Sequence, residues 1–571
     1  MKRIDSLKIF VLIVLLINIS FVGCSSDNDD GEDNKTPGTG TNTDGSNKDK
    51  DNEKPPLGKE CLIETFRVGS TINGGTFNGM VFSVDQKNGT IQANTIEWLD
   101  MDKPDELIVS FTFKGKEVKV GDIVQTSDVT KNSFKDGLTY TVYAENGDKK
   151  EYRVTLVAPQ INQDVPVLHF KMDRNVGNDY IKSKLEILSY GIQEGLWDFS
   201  KDDVEIRLRG NSTKGLPKKP YRVKFPEKFS PLGLNHAKAK SWVLLANDTD
   251  KTLLRNASAL AMSRVLFDPA DPAHDSQACL FTAATMHVNV FFNNEYIGLY
   301  TLSDQIQRDG GRIDIEKLEA SDGNNPDKIT GGYLMEVDIH GLGEPSNFSS
   351  SQGMRITPKY PDSEDHDPAQ YEYIKGFIKK AEDALYGSDF GDAKKGWRKY
   401  YDETTAIDYF LVNELSGNPD GYSQNYFYKK RGYDKIFFGP VWDFDKAFNN
   451  DRRTQEPLTS LMVHVGFYAM NFNQGNHWFR RLWSDNTFKS AVKKRWNEKK
   501  GRLLAESLAV LDNDSKTMEK SIKSNFRKWS VTSQALGDAM PAPTSYAAGL
   551  STLRTYIQDR YTFLDNLFNS Y

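Results

Sequence analysis

The apolar residues of this chain change period once, and that change restricts the folds open to it. Up to residue 337 they come in short runs: Val167 to Met172, Val204 to Leu208, Tyr221 to Phe225, Ser241 to Leu245, Met286 to Phe292, Tyr296 to Leu302 and Gly332 to Val337. From residue 369 they recur every three or four positions, over Ala369 to Leu385, Thr404 to Leu415, His477 to Val510, Ser515 to Trp529 and Ser545 to Phe568. Short alternating runs suit strands with a buried face, and the wider spacing suits one stripe of a helix. A β-rich part followed by an α-rich part predicts an α+β, bilobal arrangement, which offers a site between lobes.

The N-terminus carries its own signals. Lys2 and Arg3 precede the apolar run Ile9 to Ile17, and Phe21-Val22-Gly23 precede Cys24. A basic start, an apolar core and a small residue predict a signal peptide over residues 1–23. A Cys directly after it resembles a bacterial lipobox, which implies lipidation at Cys24 and attachment to a membrane. A plain secretory signal and an uncleaved anchor are the alternatives. No later segment reaches the roughly 20 apolar residues of a spanning helix. Residues 24–58 are rich in Asp, Asn, Gly, Thr, Ser, Lys and Pro and cannot bury enough surface to offset their ordering entropy, so a disordered stalk is expected. Its acidic start, Ser25 to Asp30, resembles the export tag of surface lipoproteins in some Gram-negative bacteria and implies display on the outer membrane.

Residues 59–158 predict a small all-β sandwich. Alternating runs at Ile63 to Val68, Thr76 to Val84, Thr90 to Ile96, Glu106 to Phe113, Thr139 to Ala144 and Glu151 to Val157 are separated by turns such as Asn73-Gly74-Gly75, Lys87-Asn88-Gly89 and Glu145 to Asp148. Its end, Thr139 to Asp148 with Tyr152 to Leu156, resembles immunoglobulin-like modules of bacterial surface lipoproteins. No acids or histidines gather there for chemistry, so the module reads as a spacer or docking unit. Pro159 to Pro166 links it to a second domain over residues 165–571.

Charge and side-chain chemistry exclude several functions. The 73 basic and 79 acidic residues leave a net charge of −6, which argues against nucleic-acid binding by bulk electrostatics. Three cysteines make no disulfide framework. No histidine pair has the spacing of a zinc helix, and no G-x-S-x-G elbow is present.

The chemistry concentrates between Asn413 and Phe448. Asp420 stands in the turn Asn418-Pro419-Asp420-Gly421, and Asn425 follows five positions later. The aromatic runs Tyr426-Phe427-Tyr428 and Ile436-Phe437-Phe438 then lead to Trp442-Asp443-Phe444-Asp445. An acid, an amide and a second acid in this order are what a kinase uses for its base and its two Mg²⁺ ligands. Taken singly, Asn418 to Gly421 is an ordinary turn and Asp443 a helix cap.

Further blocks stand upstream in fixed order. They are Arg207-Leu208-Arg209-Gly210-Asn211-Ser212-Thr213, Pro217 to Phe225, Ser241 to Asn256, Asn293 to Tyr300 and Gly331 to Asp338. Together with the stretch above they resemble the CotH kinase-like family, the spore-coat protein H type of atypical kinase. The resemblance implies a protein-kinase-like fold that binds ATP and Mg²⁺ and phosphorylates Ser or Thr of a protein substrate. It implies Asp420 as the catalytic-loop acid, acting as base, with Asn425 and Asp443 as metal ligands. The chain departs from ordinary kinases in having no G-x-G-x-x-G loop.

Asp445 is a candidate for a second metal or for support of the first. Arg209, Lys218 and Lys219 are candidates for phosphate, with Lys219 equally readable as a solvated strand edge. Glu336 is a candidate partner for a phosphate-binding Lys, and Arg255 reads as a structural ion pair at a helix start. The competing function is a non-catalytic surface lipoprotein that uses the same cleft to bind a glycan, an envelope component or a partner protein.

Overall fold

The computed structural model describes residues 57–571 except 69–79, 94–106, 135–136, 156–164, 191, 193–195, 235–237, 294, 339–340, 345, 362–366, 453–456, 466–476 and 534–538. The signal segment, Cys24, nearly all of the stalk, the Asn73-Gly74-Gly75 turn and most of the linker lie outside the described residues.

The first module consists of β1 Leu62–Val68, β2 Met80–Asp85, β3 Thr90–Ala93, β4 Leu107–Lys114, β5 Glu117–Val120, β6 Ile123–Val124, β7 Lys131–Asn132, β8 Leu138–Tyr143 and β9 Lys149–Thr155. They hydrogen-bond in the single order β6-β5-β8-β9-β3-β2-β1-β4-β7. The sheet folds over on itself. Phe66 of β1 meets Tyr140 of β8 edge-on at 5.3 Å although three strands separate them in the ladder. Alternation delivers this core: Ile63, Phe66, Phe111, Tyr140, Val142, Tyr152 and Val154 are buried on inward positions. β5, β6 and β7 were not expected, since strands this short carry almost no period.

The next part is a closed barrel of β10 Val167–Lys171, β11 Ile181–Leu188, β12 Phe199–Leu208, β13 Tyr221–Phe229, β14 Ala239–Leu245, β15 Thr285–Phe292 and β16 Glu295–Asp304. The order is β10-β11-β12-β13-β14-β16-β15, and the parallel pairing of β10 with β15 closes it. Val204, Ile206, Val223, Trp242, Leu244, Val290 and Leu302 fill its interior. Between β14 and β15 runs helix α1, Arg255–Leu266, buried along nearly its whole length.

A five-stranded sheet follows: β17 Tyr333–Asp338, β18 Phe348–Ser349, β19 Arg355–Tyr360, β20 Gln424–Lys429 and β21 Ile436–Phe438, in the order β18-β19-β17-β20-β21. The helices are α2 Pro368–Tyr386, α3 Glu403–Ser416, α4 Met462–Val465, α5 His477–Leu482, α6 Asn486–Thr517, α7 Glu519–Lys528 and α8 Tyr546–Asn569. The molecule is therefore a mixed α+β protein. The long helix expected from His477 to Val510 is two helices, because Asp485 breaks the run and caps the second with its side chain on the Thr487 N–H. The second helix then continues to Thr517, beyond the expected end at Val510.

Candidate functional site

Helix α3 starts at Asp402, whose side chain caps Thr405 N, and stops at Gly417 in the left-handed conformation. The chain then turns through Asn418 to Gly421, and side chains hold that turn. The buried Asn418 donates from Nδ2 to Asn413 Oδ1 (3.2 Å) and to the Asp443 carbonyl (3.3 Å), and accepts from Asp420 N at 3.2 Å. The Asp420 carbonyl accepts from Ser423 N and Gln424 N at 3.0 and 2.9 Å. Gly421 is required by close approach, since a Cβ there would stand 2.0 Å from Asn413 Oδ1. The turn is thus an ordinary one in chemistry, and Asn418 ties it to Asp443.

Asp443 has φ 68°, and Phe448 and Asn449 follow with φ 54° and 56°. Across from them Asn247 and Leu253 have φ 50° and 63°. Non-glycine residues resist this region, and such conformations gather where surrounding contacts over-determine them. The contacts are visible. Phe444 N donates to Asn256 Oδ1 at 2.9 Å, Thr249 Oγ1 donates to Asp445 Oδ2 at 2.6 Å, and Asn450 Nδ2 donates to the carbonyls of Thr249 and Asp445 at 3.1 and 2.7 Å. The whole segment Asn247 to Asn256 is buried.

The enclosing cleft, then the adjoining Asp445 carboxylate, push Asp443 well above the usual carboxylate range, although the residue keeps an exposed surface; Arg209 opposes this and Asp420 adds to it. The structure therefore brings Asp420, Asp443, Asp445 and Arg209 into one site. Two adjoining carboxylates repel when both are ionised, and a cation between them relieves that repulsion. Mg²⁺ is commonly held by one or two carboxylates, with phosphate and water completing its shell, so this pair fits it. Among the described residues no group of three or more His, Cys, Asp or Glu side chains forms a self-sufficient metal cage.

Asn425 lies on β20 opposite Val337, and Tyr426 lies opposite Glu336. Alternation puts Tyr426 on the face that meets Glu336, Arg209 and Asp443, whose charges act on its phenol. Asn425 takes the other face. It is 2% exposed, with its amide nitrogen buried and without a hydrogen-bond partner.

Arg209 continues β12 past its end, its N–H donating to Pro220 O at 3.1 Å. The two lysines that follow part company. Lys219 Nζ donates to the carbonyls of Lys214 and Leu216 at 2.9 and 3.3 Å and fastens the loop after Arg209. Lys218 is buried, donates to Leu299 O at 2.5 Å and lines the cleft with Arg209, Asp248, Asp443 and Asp445. Burial drives its ammonium down to about 7, opposed by Asp248. Gly298 makes its room, because a Cβ there would stand 2.8 Å from Lys218 Cε.

Glu336 pairs with Lys359, on β19, at 3.1 Å; the same ammonium reaches Asp338 at 3.3 Å and Glu344 at 3.8 Å. Burial raises Glu336 to about 7 despite Lys359. Arg255 pairs with Asp250 at the start of α1, where Asp250 also accepts from Arg255 N at 2.8 Å.

Lys359, Tyr426, Asp248, Thr249 and Asn256 escaped the sequence reading as site residues. Asn247 to Asn256 entered only as part of the Ser241 to Asn256 block of the family resemblance; its one local signal is the run of Asn, Asp and Thr, all capping types, directly before an apolar helix. Lys359 carries no local signal, because its partner is set by the β17–β19 register.

A family profile described as CotH kinase protein matches residues 206–564 of the 571. A search of curated proteins found no match to this chain.

Proposed function

The chain belongs to the CotH kinase family, and from that premise we propose that its site transfers the terminal phosphate of ATP to a Ser or Thr hydroxyl of a protein substrate. The observation that carries this reading is the meeting of the Asp443 and Asp445 carboxylates in one cleft, beside Arg209 and Asp420. Such a pair calls for a cation, and the neighbouring guanidinium calls for an anion.

In this reading Asp443 and Asp445 hold Mg²⁺, which supplies charge neutralisation at the phosphate oxygens. Asn425, on the other face of β20, is given no metal-binding role in this reading. Arg209 and Lys218 hold the phosphates. Asp420 accepts the proton of the acceptor hydroxyl as that oxygen attacks phosphorus; the bond to the bridging oxygen breaks and ADP leaves. Asn418, Thr249 and Asn256 hold the acids in place, the part of catalysis that positioning supplies.

The same reading takes the protein as a lipoprotein anchored through Cys24 at the outer membrane, supported by the sequence of residues 1–30. Among the described residues no helix is long and apolar enough to cross a membrane. Replacing Cys24 with Ser is expected to release the protein from membranes. For the transfer itself, the protein is incubated with Mg²⁺ and ATP labelled in its terminal phosphate. Label should enter protein Ser or Thr, and Asp443→Ala should abolish it; absence of transfer and of Mg²⁺-dependent ATP binding would sink the reading.

A further inference from the structure

Thr249 is shared between two spaces. One is the cleft at Asp443. The other, about 160 Å³, lies among the Thr249 to Arg255 segment, the Asn449-Asn450 corner, the stretch Ala539 to Pro543 and the start of α8. It has the volume of roughly five waters of the liquid. Lys251 and Arg255 line it, and among the described residues no acid does. Ala539 to Pro543 give it an apolar wall.

Most polar groups in that wall are already engaged. Arg255 is held by Asp250 and the Ala447 carbonyl, Thr252 Oγ1 donates to Asp250 at 2.6 Å, and Thr249 Oγ1 donates to Asp445. Lys251 is different. It is 7% exposed, yet among the described residues its Nζ comes no closer than 3.5 Å to an acceptor, Ser533 Oγ, and 3.8 Å to a carboxylate, Asp248. Lys218 and Lys429 are also buried, and each donates to backbone carbonyls at 2.5 Å. A buried ammonium has three donors and ordinarily finds close acceptors for them. Burial holds the Lys251 ammonium below the ordinary lysine range, against Asp248 and Asp250, and an anion set on Nζ would restore its charge.

We infer that this space is a binding site for a small monocarboxylate, with the carboxylate on Lys251 Nζ and the apolar body against Ala539 to Pro543. One free cation matches one negative charge. Phosphate carries more charge than a single ammonium meets and gains nothing from an apolar wall. The site is separate from the acids at Asp443 and rests neither on Mg²⁺ nor on the phosphotransfer reading.

The test is calorimetric titration of the whole protein with sodium butyrate, sodium acetate, sodium phosphate and butyramide. Butyrate is expected to bind once per chain and tighter than acetate, since two further buried methylene groups are worth roughly tenfold. Phosphate, and butyramide with the same shape but no charge, are expected to bind at least about tenfold more weakly than butyrate. Lys251→Gln is expected to lose about tenfold or more of the butyrate affinity. Thr552→Phe narrows the space from an exposed position on α8 and leaves every buried charge in place. A loss of similar size is expected there, which guards against a folding artefact at Lys251. Saturating ATP with Mg²⁺ should leave butyrate binding unchanged; competition between the two would put butyrate in the Asp443 cleft and overturn the inference. So would equal binding of butyramide, tighter binding of phosphate, or unchanged binding in both variants. Absence of label transfer with butyrate binding intact would count against the kinase reading alone.

Discussion

Thr249 donates its hydroxyl to the Asp445 carboxylate at 2.6 Å, across 196 positions of sequence. This bond joins the buried segment after the barrel strand β14 to the acids after the β20–β21 hairpin. The site exists because these two segments meet.

Thr249→Val keeps the shape and removes the donor. Loss of a hydrogen bond to this half-buried carboxylate costs roughly 1 kcal/mol, and an outer partner of a metal ligand is worth about 10–100-fold in metal affinity. The variant should unfold at a lower temperature and need 10–100 times more Mg²⁺ for the same thermal shift. An unchanged Mg²⁺ titration would show that Asp445 takes no part in holding metal.

Lys218→Met tests the cleft lysine. Its folded value near 7 lies below the 10.5 of a free lysine. The unfolded chain therefore binds more protons between these values, and this group makes stability rise with pH across that window. In the variant the melting temperature should rise less between pH 7 and 10, and triphosphate affinity should fall by about tenfold. Gly298→Ala, which crowds the same side chain, should lower triphosphate affinity in the same direction while leaving the lysine in place.

Glu336 has the opposite sign. Its folded value near 7 exceeds the ordinary 4.5, so the folded state holds the extra proton and stability falls as pH rises through that interval. The groups facing it are Lys359, Asp338, Glu344 and Tyr426. Glu336→Gln should flatten the stability curve between pH 4.5 and 7, by at most about 3 kcal/mol. Denaturant unfolding at several pH values measures it; a parallel, merely displaced curve would rule the titration out.

Glu414 and Arg560 form a fully buried pair at 3.0 Å. Glu414 also accepts from Met462 N, Val463 N and Tyr422 Oη at 2.7, 2.9 and 2.9 Å. It thereby fastens the loop after Asp420 and the segment after Asp443 to helix α8. Arg560→Met leaves a buried carboxylate uncompensated and should cost about 3–5 kcal/mol. Double replacement, Glu414→Leu with Arg560→Met, should recover part of that loss and none of the label transfer.

Much of this molecule is local and was legible. Strands from Val167 to Val337 and helices from Ala369 onward follow from the period of their apolar residues, because each element buries its own face wherever it is placed. The acids Asp420, Asp443 and Asp445 and the family itself were legible from residue types in order. What sits beside them was not. Lys218 and Lys219 are neighbours in a run of like residues, and the barrel turns one into the cleft and the other onto a loop. Glu336 has Lys359 for its partner because β17 and β19 pair in one register. Asn247 to Asn256 is rich in polar residues, yet it is buried, with Phe444, Asp445 and Asn450 of the segment carrying Asp443 hydrogen-bonded to Asn256 and Thr249. Sequence alone determined which elements form and which chemistry the chain carries; closure of the barrel and the meeting of residues some 200 positions apart decided which charges face each other, since Coulomb and hydrogen-bond energies depend on distance in space and leave no period in the chain.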